Sequence, residues 1–202
     1  TTTRIDDLNI VRNRTFDQIA VGDSASITRT LSMDDIALFA VMSGDDNPQH
    51  LDAEFAASSR YQGVIAHGMW GAALISAVLG TRLPGAGTVY TGQTLRFLQP
   101  VRVGDTLAIS VTVTAREPRN RHVTLACRCV NQHGAVVLDG EAQVIAPAEQ
   151  IERVRATLPE VRLHNGDGTR RLLEHARTLG PIKVAVIHPC DELSLAGALD
   201  AH

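Results

Sequence analysis

The chain has 202 residues, 44% of them hydrophobic and 20% charged, with a formal net charge of −3. That balance fits a globular protein with a sizeable core and excludes a disordered chain. With no basic excess and only 3% aromatic residues, it holds neither the phosphate backbone nor the bases of a nucleic acid, so no nucleic-acid partner is expected.

In chain order, residues 1–23 read as an irregular charged lead-in that ends in the turn Val21-Gly22-Asp23, and 25–31 alternates as a first strand. Ser32 and Asp35 form an S-x-x-D helix start. The helix carries Ile36, Phe39, Ala40 and Met42 at helical spacing and stops at Gly44. The polar run Asp45-Asp46-Asn47-Pro48-Gln49-His50 follows. Pro48 forbids regular helix there and pushes Asn47 toward extended geometry, which predicts a structured turn. Asp52 caps a short helix through Glu54, Phe55 and Ala57, ended by Gly63. Beyond His67, residues 68–80 are apolar on every face, which predicts a helix enclosed by the rest of the protein. This run reaches only about two-thirds of the roughly 20 residues that span a bilayer, so no membrane partner is expected.

Four strand-length segments rich in Val, Thr, Ile and Leu lie at 89–98, 105–116, 122–131 and 135–146, parted by turn signals such as Gln132-His133-Gly134. An antiparallel sheet curled around one apolar helix, an α+β fold, buries all of them. After Pro147 the composition turns polar, as in a linker or surface helix. Thr169 caps a further helix through Leu179, Gly180-Pro181 breaks it, and 182–187 is a buried-strand run leading into His188-Pro189-Cys190-Asp191. One strand and one helix make no core, so this segment reads as the opening of an α/β domain. The expected organisation is a domain over 1–148, a linker with helices over 149–180 and the start of an α/β domain over 181–202. The first twenty residues are polar, and three cysteines give no disulfide framework, so the cytoplasm is the expected location.

Chemistry concentrates at two places. Asp45 and His50 share one tight turn beside the apolar helix, an arrangement suited to moving a proton on and off one water or one carbon. The competing reading is that Asp and Asn in a turn only satisfy backbone amides. His67-Gly68 opens the apolar helix, where unpaired N–H groups can hold negative charge developing on a carbonyl oxygen and glycine allows close approach. Alternatively, Gly68 only lets helix and sheet pack. Ser76 is the one hydroxyl inside the 68–80 run, and mid-helix serines commonly bond their own preceding turn. A metal needs three or four converging ligands. Cys127 and Cys129 face one way on a strand without a partner pair, so no metal is expected. Cys190 beside His188 reads as structural, and Gly63, Gly68 and Gly71 make no phosphate loop.

The run Phe39-Ala40-Val41-Met42-Ser43-Gly44-Asp45-Asp46-Asn47-Pro48-Gln49-His50-Leu51-Asp52, followed by Ile65-Ala66-His67-Gly68-Met69, resembles the hydratase signature of the MaoC-like (R)-specific enoyl-CoA hydratases. The stretch from Tyr90 to Asp105 is similar to their strand-and-turn region, and the likeness covers about residues 15–146. The resemblance implies the hot-dog fold and a homodimer or higher homo-oligomer. It implies that Asp45 and His50 are the catalytic dyad, that Gly68 is the backbone donor to the thioester carbonyl and that Ser76 is a helix hydroxyl facing the site. Asn47, His67, Met69 and Arg96 are the expected substrate-binding residues, with Arg96 and Arg102 toward the phosphates of coenzyme A unless they are only solvated strand-edge charge. The implied reaction is reversible syn hydration of a trans-2-enoyl-CoA to the (3R)-hydroxyacyl-CoA. The partner is an acyl-CoA thioester, and no separate cofactor is expected because coenzyme A belongs to the substrate. A hot-dog acyl thioesterase, an acyl-carrier-protein dehydratase and a non-catalytic acyl-CoA-binding module are the alternatives. Residues 180–191 resemble the opening of the phosphate acetyl/butyryltransferase domain that follows a MaoC-like domain in certain fused bifunctional enzymes.

Overall fold

Period-two alternation places Leu107, Ile109, Val111 and Val113 on one side of a strand, and all four are buried. In the computed structural model, which describes residues 10–163 and 167–179, the strand is the second in a five-stranded antiparallel sheet. The elements in chain order are β1 (Ile10–Arg12), β2 (Ser24–Thr30), α1 (Met33–Ser43), α2 (Pro48–Leu51), α3 (Ala53–Ser58), α4 (Gly68–Thr81), β3 (Val89–Phe97), β4 (Thr106–Glu117), β5 (His122–Asn131), β6 (Val136–Ile145), β7 (Glu152–Val154) and α5 (Asp167–Thr178). The large sheet runs β2-β4-β5-β6-β3, while β1 and β7 pair as a separate two-stranded ribbon.

Helix α4 lies on the inner face of that sheet and buries Trp70, Gly71, Ala72, Ile75, Val78 and Leu79. Facing them are Ile109, Val111, Leu125, Leu138, Ala142 and Val144 in one continuous core. Each such aliphatic side chain contributes about 1.5–3 kcal/mol on full burial, which is why a core almost without rings suffices. Gly71 sets the helix-to-sheet distance: a Cβ there would stand 3.2 Å from Leu138 Cδ1. The expected α+β architecture, a sheet wrapped around one helix in the hot-dog manner, is therefore present, and the four main strands lie within a residue or so of their expected bounds.

Three local expectations differ from the structure. The lead-in and the polar stretch after Pro147 are not wholly irregular or helical, because Ile10–Arg12 pairs antiparallel with Glu152–Val154. Three-residue strands carry too little pattern to stand out by periodicity. Pro48 does not forbid helix: it occupies the first turn of the one-turn helix α2, where its missing N–H costs nothing. Helix α4 is not enclosed on every side, since Met69, Ala73, Ser76 and Gly80 form an exposed stripe along it. The chain divides into two compact units, Thr1–Glu160 and Val161–His202. In the second, α5 begins at Asp167, two residues before the expected Thr169 cap. The expected strand over 182–187 and the His188, Cys190 pair lie outside the described residues. Among the described residues, no helix is long and apolar enough to cross a membrane.

Candidate active site

The turn between α1 and α2 is built by short polar side chains serving the backbone. Helix α1 starts with the Ser32 and Asp35 capping box and stops at Gly44, whose φ of 75° is the left-handed conformation glycine favours. Ser43 Oγ donates to Phe39 O at 2.7 Å and accepts from Asp45 N at 3.2 Å. Asp45 Oδ1 accepts from Asn47 N at 3.3 Å. Asn47, at φ −50° and ψ 125°, caps α2 by accepting from Gln49 N at 3.0 Å. Asp52 then caps α3, accepting from Glu54 N and Phe55 N. The turn's side chains do satisfy backbone amides, and the path they fix brings His50 against the start of α4.

The His50 ring sits 3.9 Å from the His67 ring, centroid to centroid, at 32°. Its Nδ1 lies 2.8 Å from Ile65 O. A carbonyl oxygen can only accept, so Nδ1 carries the proton and the neutral ring keeps its lone pair on Nε2. His67, 3% exposed, uses Nε2 in the same way toward Asp45 O at 3.0 Å. The Asp45 carboxylate and one nitrogen from each of the two rings lie within 4.8 Å of one another. That trio offers one carboxylate oxygen and two imidazole nitrogens, three atoms that could serve as metal ligands.

Gly68 begins α4 directly beyond His67, and no side chain caps that helix end, so its first N–H groups are open donors. A Cβ on Gly68 would stand 3.0 Å from the Phe97 ring. The ring and the helix start meet this closely because glycine carries no side chain. Between them opens a cavity of about 350 Å³ lined by His50, His67, Gly68, Trp70, Phe97 and Leu138, with Arg60 and Tyr61 also on its wall. Cys129 is part of the wall too. Burial, and after it the neighbouring Cys127, push its thiol up to about 12, so it is protonated at neutral pH and no nucleophile.

The structure thus brings His50, His67 and Gly68 to one cavity, with the exposed Asp45 outside its lining but its carboxylate within 4.8 Å of both imidazoles, and Asn47 holding the turn. It does not gather the rest. Ser76 and Met69 stand on the exposed stripe of α4, away from the cavity wall. Arg96 points to the other face of the sheet, where it donates to both carboxylate oxygens of Asp139, at 2.9 Å and 2.8 Å. That pair lines an outer groove of about 540 Å³ with Arg128. Arg102 donates to Tyr61 O at 2.6 Å. Arg60, Tyr61, Phe97 and Leu138 went unnoticed in the sequence. Phe97 alone left a signal, as an aromatic residue closing a strand just before the Pro100 turn.

An antiparallel sheet around one helix is the hot-dog architecture, and here an acid and an imidazole stand near that helix's start as a candidate acid–base pair. Residues 18–130, more than half of the chain, match the MaoC like domain, and the chain belongs to that family. It is similar to an (R)-specific enoyl-CoA hydratase of Rhodospirillum rubrum, 48% identical over 133 residues that cover 66% of this chain and 92% of that one. It is also similar to a 3-hydroxybutyryl-CoA dehydratase of Methylorubrum extorquens, 46% identical over 135 residues, 67% of this chain and 85% of that one. Among solved structures it resembles R-hydratase PhaJ1 from Pseudomonas aeruginosa, with a TM-score of 0.74 and 44% identity over 77% of this chain and 99% of that one.

Proposed function

We propose that this protein is an (R)-specific enoyl-CoA hydratase, a hydro-lyase that adds water reversibly across a trans-2-enoyl-CoA to give the (3R)-hydroxyacyl-CoA. One observation carries the reading: the Nδ1–H bond from His50 to Ile65 O leaves the Nε2 lone pair for a water at a cavity that also holds the open start of α4. The similar hydratase and dehydratase relatives support it.

In this reading the acyl chain lies along the apolar wall, and the Gly68 N–H donates to the thioester carbonyl oxygen. As His50 Nε2 takes a proton from water, the hydroxyl adds to C3 and electron density moves onto the carbonyl oxygen, where the Gly68 N–H stabilises it. Asp45 delivers the proton that completes C2. The pair returns to its starting state by passing the proton gained by His50 back to Asp45. Because both groups come from one turn, hydroxyl and proton reach the same face, which is syn addition. Positioned acid and base groups contribute about 10²- to 10⁴-fold.

No separate cofactor enters, because coenzyme A is part of the substrate. The assembly proposed is a homodimer: β3 is an edge strand with exposed Val89, Tyr90 and Phe97, and the stripe holding Met69 and Ser76 is open for a second copy to cover. The free, buried thiols of Cys127 and Cys129 fit a reducing compartment, the cytoplasm. Crotonyl-CoA hydration, followed by loss of enoyl absorbance with no release of free thiol, is the expected result. Thiol release would mark a thioesterase, and binding without turnover would mark a non-catalytic module; either outcome sinks the hydratase reading.

A further inference from the structure

His67 precedes α4, yet its side chain makes no capping bond to that helix. Its ring is 3% exposed and reaches back to a segment more than fifteen residues away. There it does three things at once. Nε2–H donates to the Asp45 carbonyl at 3.0 Å. One face of the ring stacks on His50 at 3.9 Å. The Phe39 ring packs on it at 4.9 Å, tying it to α1. The peptide bond that follows His67 supplies the Gly68 N–H.

Resting on the hydratase reading, we propose that His67 is a positioning residue rather than a substrate-binding one: a single buried ring locks the acid, the base and the oxyanion donor into one register. The acid and the base come from the 45–50 turn and the oxyanion donor from the start of α4, two segments that must be held in register. Asp45 is tied to Asn47 N, His50 to Ile65 O and Gly68 to its helix. The bonds within the 45–50 turn fix its shape but not its distance from α4. Three ties span that gap: His50 Nδ1 to Ile65 O and Gln49 Nε2 to Gly63 O hold the far end of the turn, and the His67 contacts hold the end that carries Asp45. His67 Nδ1 is buried without a hydrogen-bond partner, so the ring spends its one donor on Asp45 and keeps no second bond that would turn it elsewhere. A displacement of about 1 Å between reacting groups costs on the order of 10²-fold in rate, so such a clamp acts on turnover.

The test compares His67→Gln with His67→Phe, using crotonyl-CoA. Glutamine presents an N–H near the Nε2 position and loses the ring; phenylalanine keeps the ring and loses the donor. The expected result is a kcat lowered on the order of 10²-fold in His67→Phe with little change in KM, and recovery of most of that loss in His67→Gln. Equal turnover by His67→Phe and wild type overturns the inference, as a ring kept only for packing would be indifferent to the donor. A KM raised with kcat kept in both variants overturns it in favour of substrate binding. Should a variant fail to fold, long-range proton–nitrogen NMR on the wild-type protein decides. Protonation of His67 at Nε2 and His50 at Nδ1 supports the clamp, and the reverse tautomers overturn it. Absence of hydration by the wild-type protein would instead strike at the hydratase reading, leaving the tautomer result to judge the clamp.

Discussion

The two faces of the sheet offer a comparison, because β3, β5 and β6 line a concavity on each. The inner one, about 350 Å³, has a largely apolar wall that holds the His50 Nε2 lone pair, the unpartnered His67 Nδ1 and the open start of α4. The outer one, about 540 Å³, is larger, but its Arg96 and Asp139 satisfy each other through two hydrogen bonds. Size does not separate a site from a groove here. Chemistry needs polar groups whose hydrogen bonding is unfinished in a setting that excludes water, and the inner face alone combines both.

Removing a reacting group from the inner face should cost the most activity. His50→Gln or Asp45→Asn should lower kcat/KM by about 10²- to 10⁴-fold, while thermal melting stays close to that of wild type. Next in size is Gly68→Ala. Its new Cβ would stand 3.0 Å from the Phe97 ring, which is 53% exposed and free to swing outward. We expect kcat/KM to fall about tenfold or more as the cavity mouth distorts, with melting unchanged or slightly raised because alanine favours helix. Partial recovery in the Gly68→Ala, Phe97→Ala double variant would tie the loss to that contact.

A smaller effect sharpens the role of α1, which carries the turn without touching the cavity. Burial alone would raise the Asp35 carboxyl, but hydrogen bonds from the Ser32 side chain and the Arg29 guanidinium, then the Ser32 backbone, outweigh it and hold the group below its ordinary 3.8. Its contribution is therefore complete at neutral pH and is lost as pH falls below the ordinary value through the lowered one. Asp35→Asn should cost about 1 kcal/mol at pH 7 in denaturant unfolding and show a weaker decline in stability on acidification. Smallest of all is Arg96→Ala on the outer face, which should leave kcat and KM for crotonyl-CoA as they are.

Much of this arrangement was legible in the sequence for definite physical reasons. Alternating Val, Leu and Ile announced β4 and β5, the capping box at Ser32 and the stop at Gly44 announced α1, and the spacing of Asp45, Asn47, Pro48 and His50 announced the turn. What stayed hidden depends on distance along the chain. Nothing local to His67 says that its ring meets His50, since the contact depends on how α4 enters the sheet. Arg96 looked available because its partner Asp139 sits 43 residues further on, across the β3 and β6 register. Ser76 and Met69 lie on the face of α4 that the chain's own sheet leaves open, so their expected roles call for a second copy of the chain.

The central claim is that the acid and the base act from one turn onto one face of the substrate. Hydration of crotonyl-CoA in deuterium oxide tests it directly, with NMR reading the configuration of the deuterium at C2 relative to the hydroxyl at C3. A single (3R) product with deuterium and hydroxyl added syn is expected; anti addition, or a mixture at C2 formed during the first turnover, would show that the two groups do not act from one side.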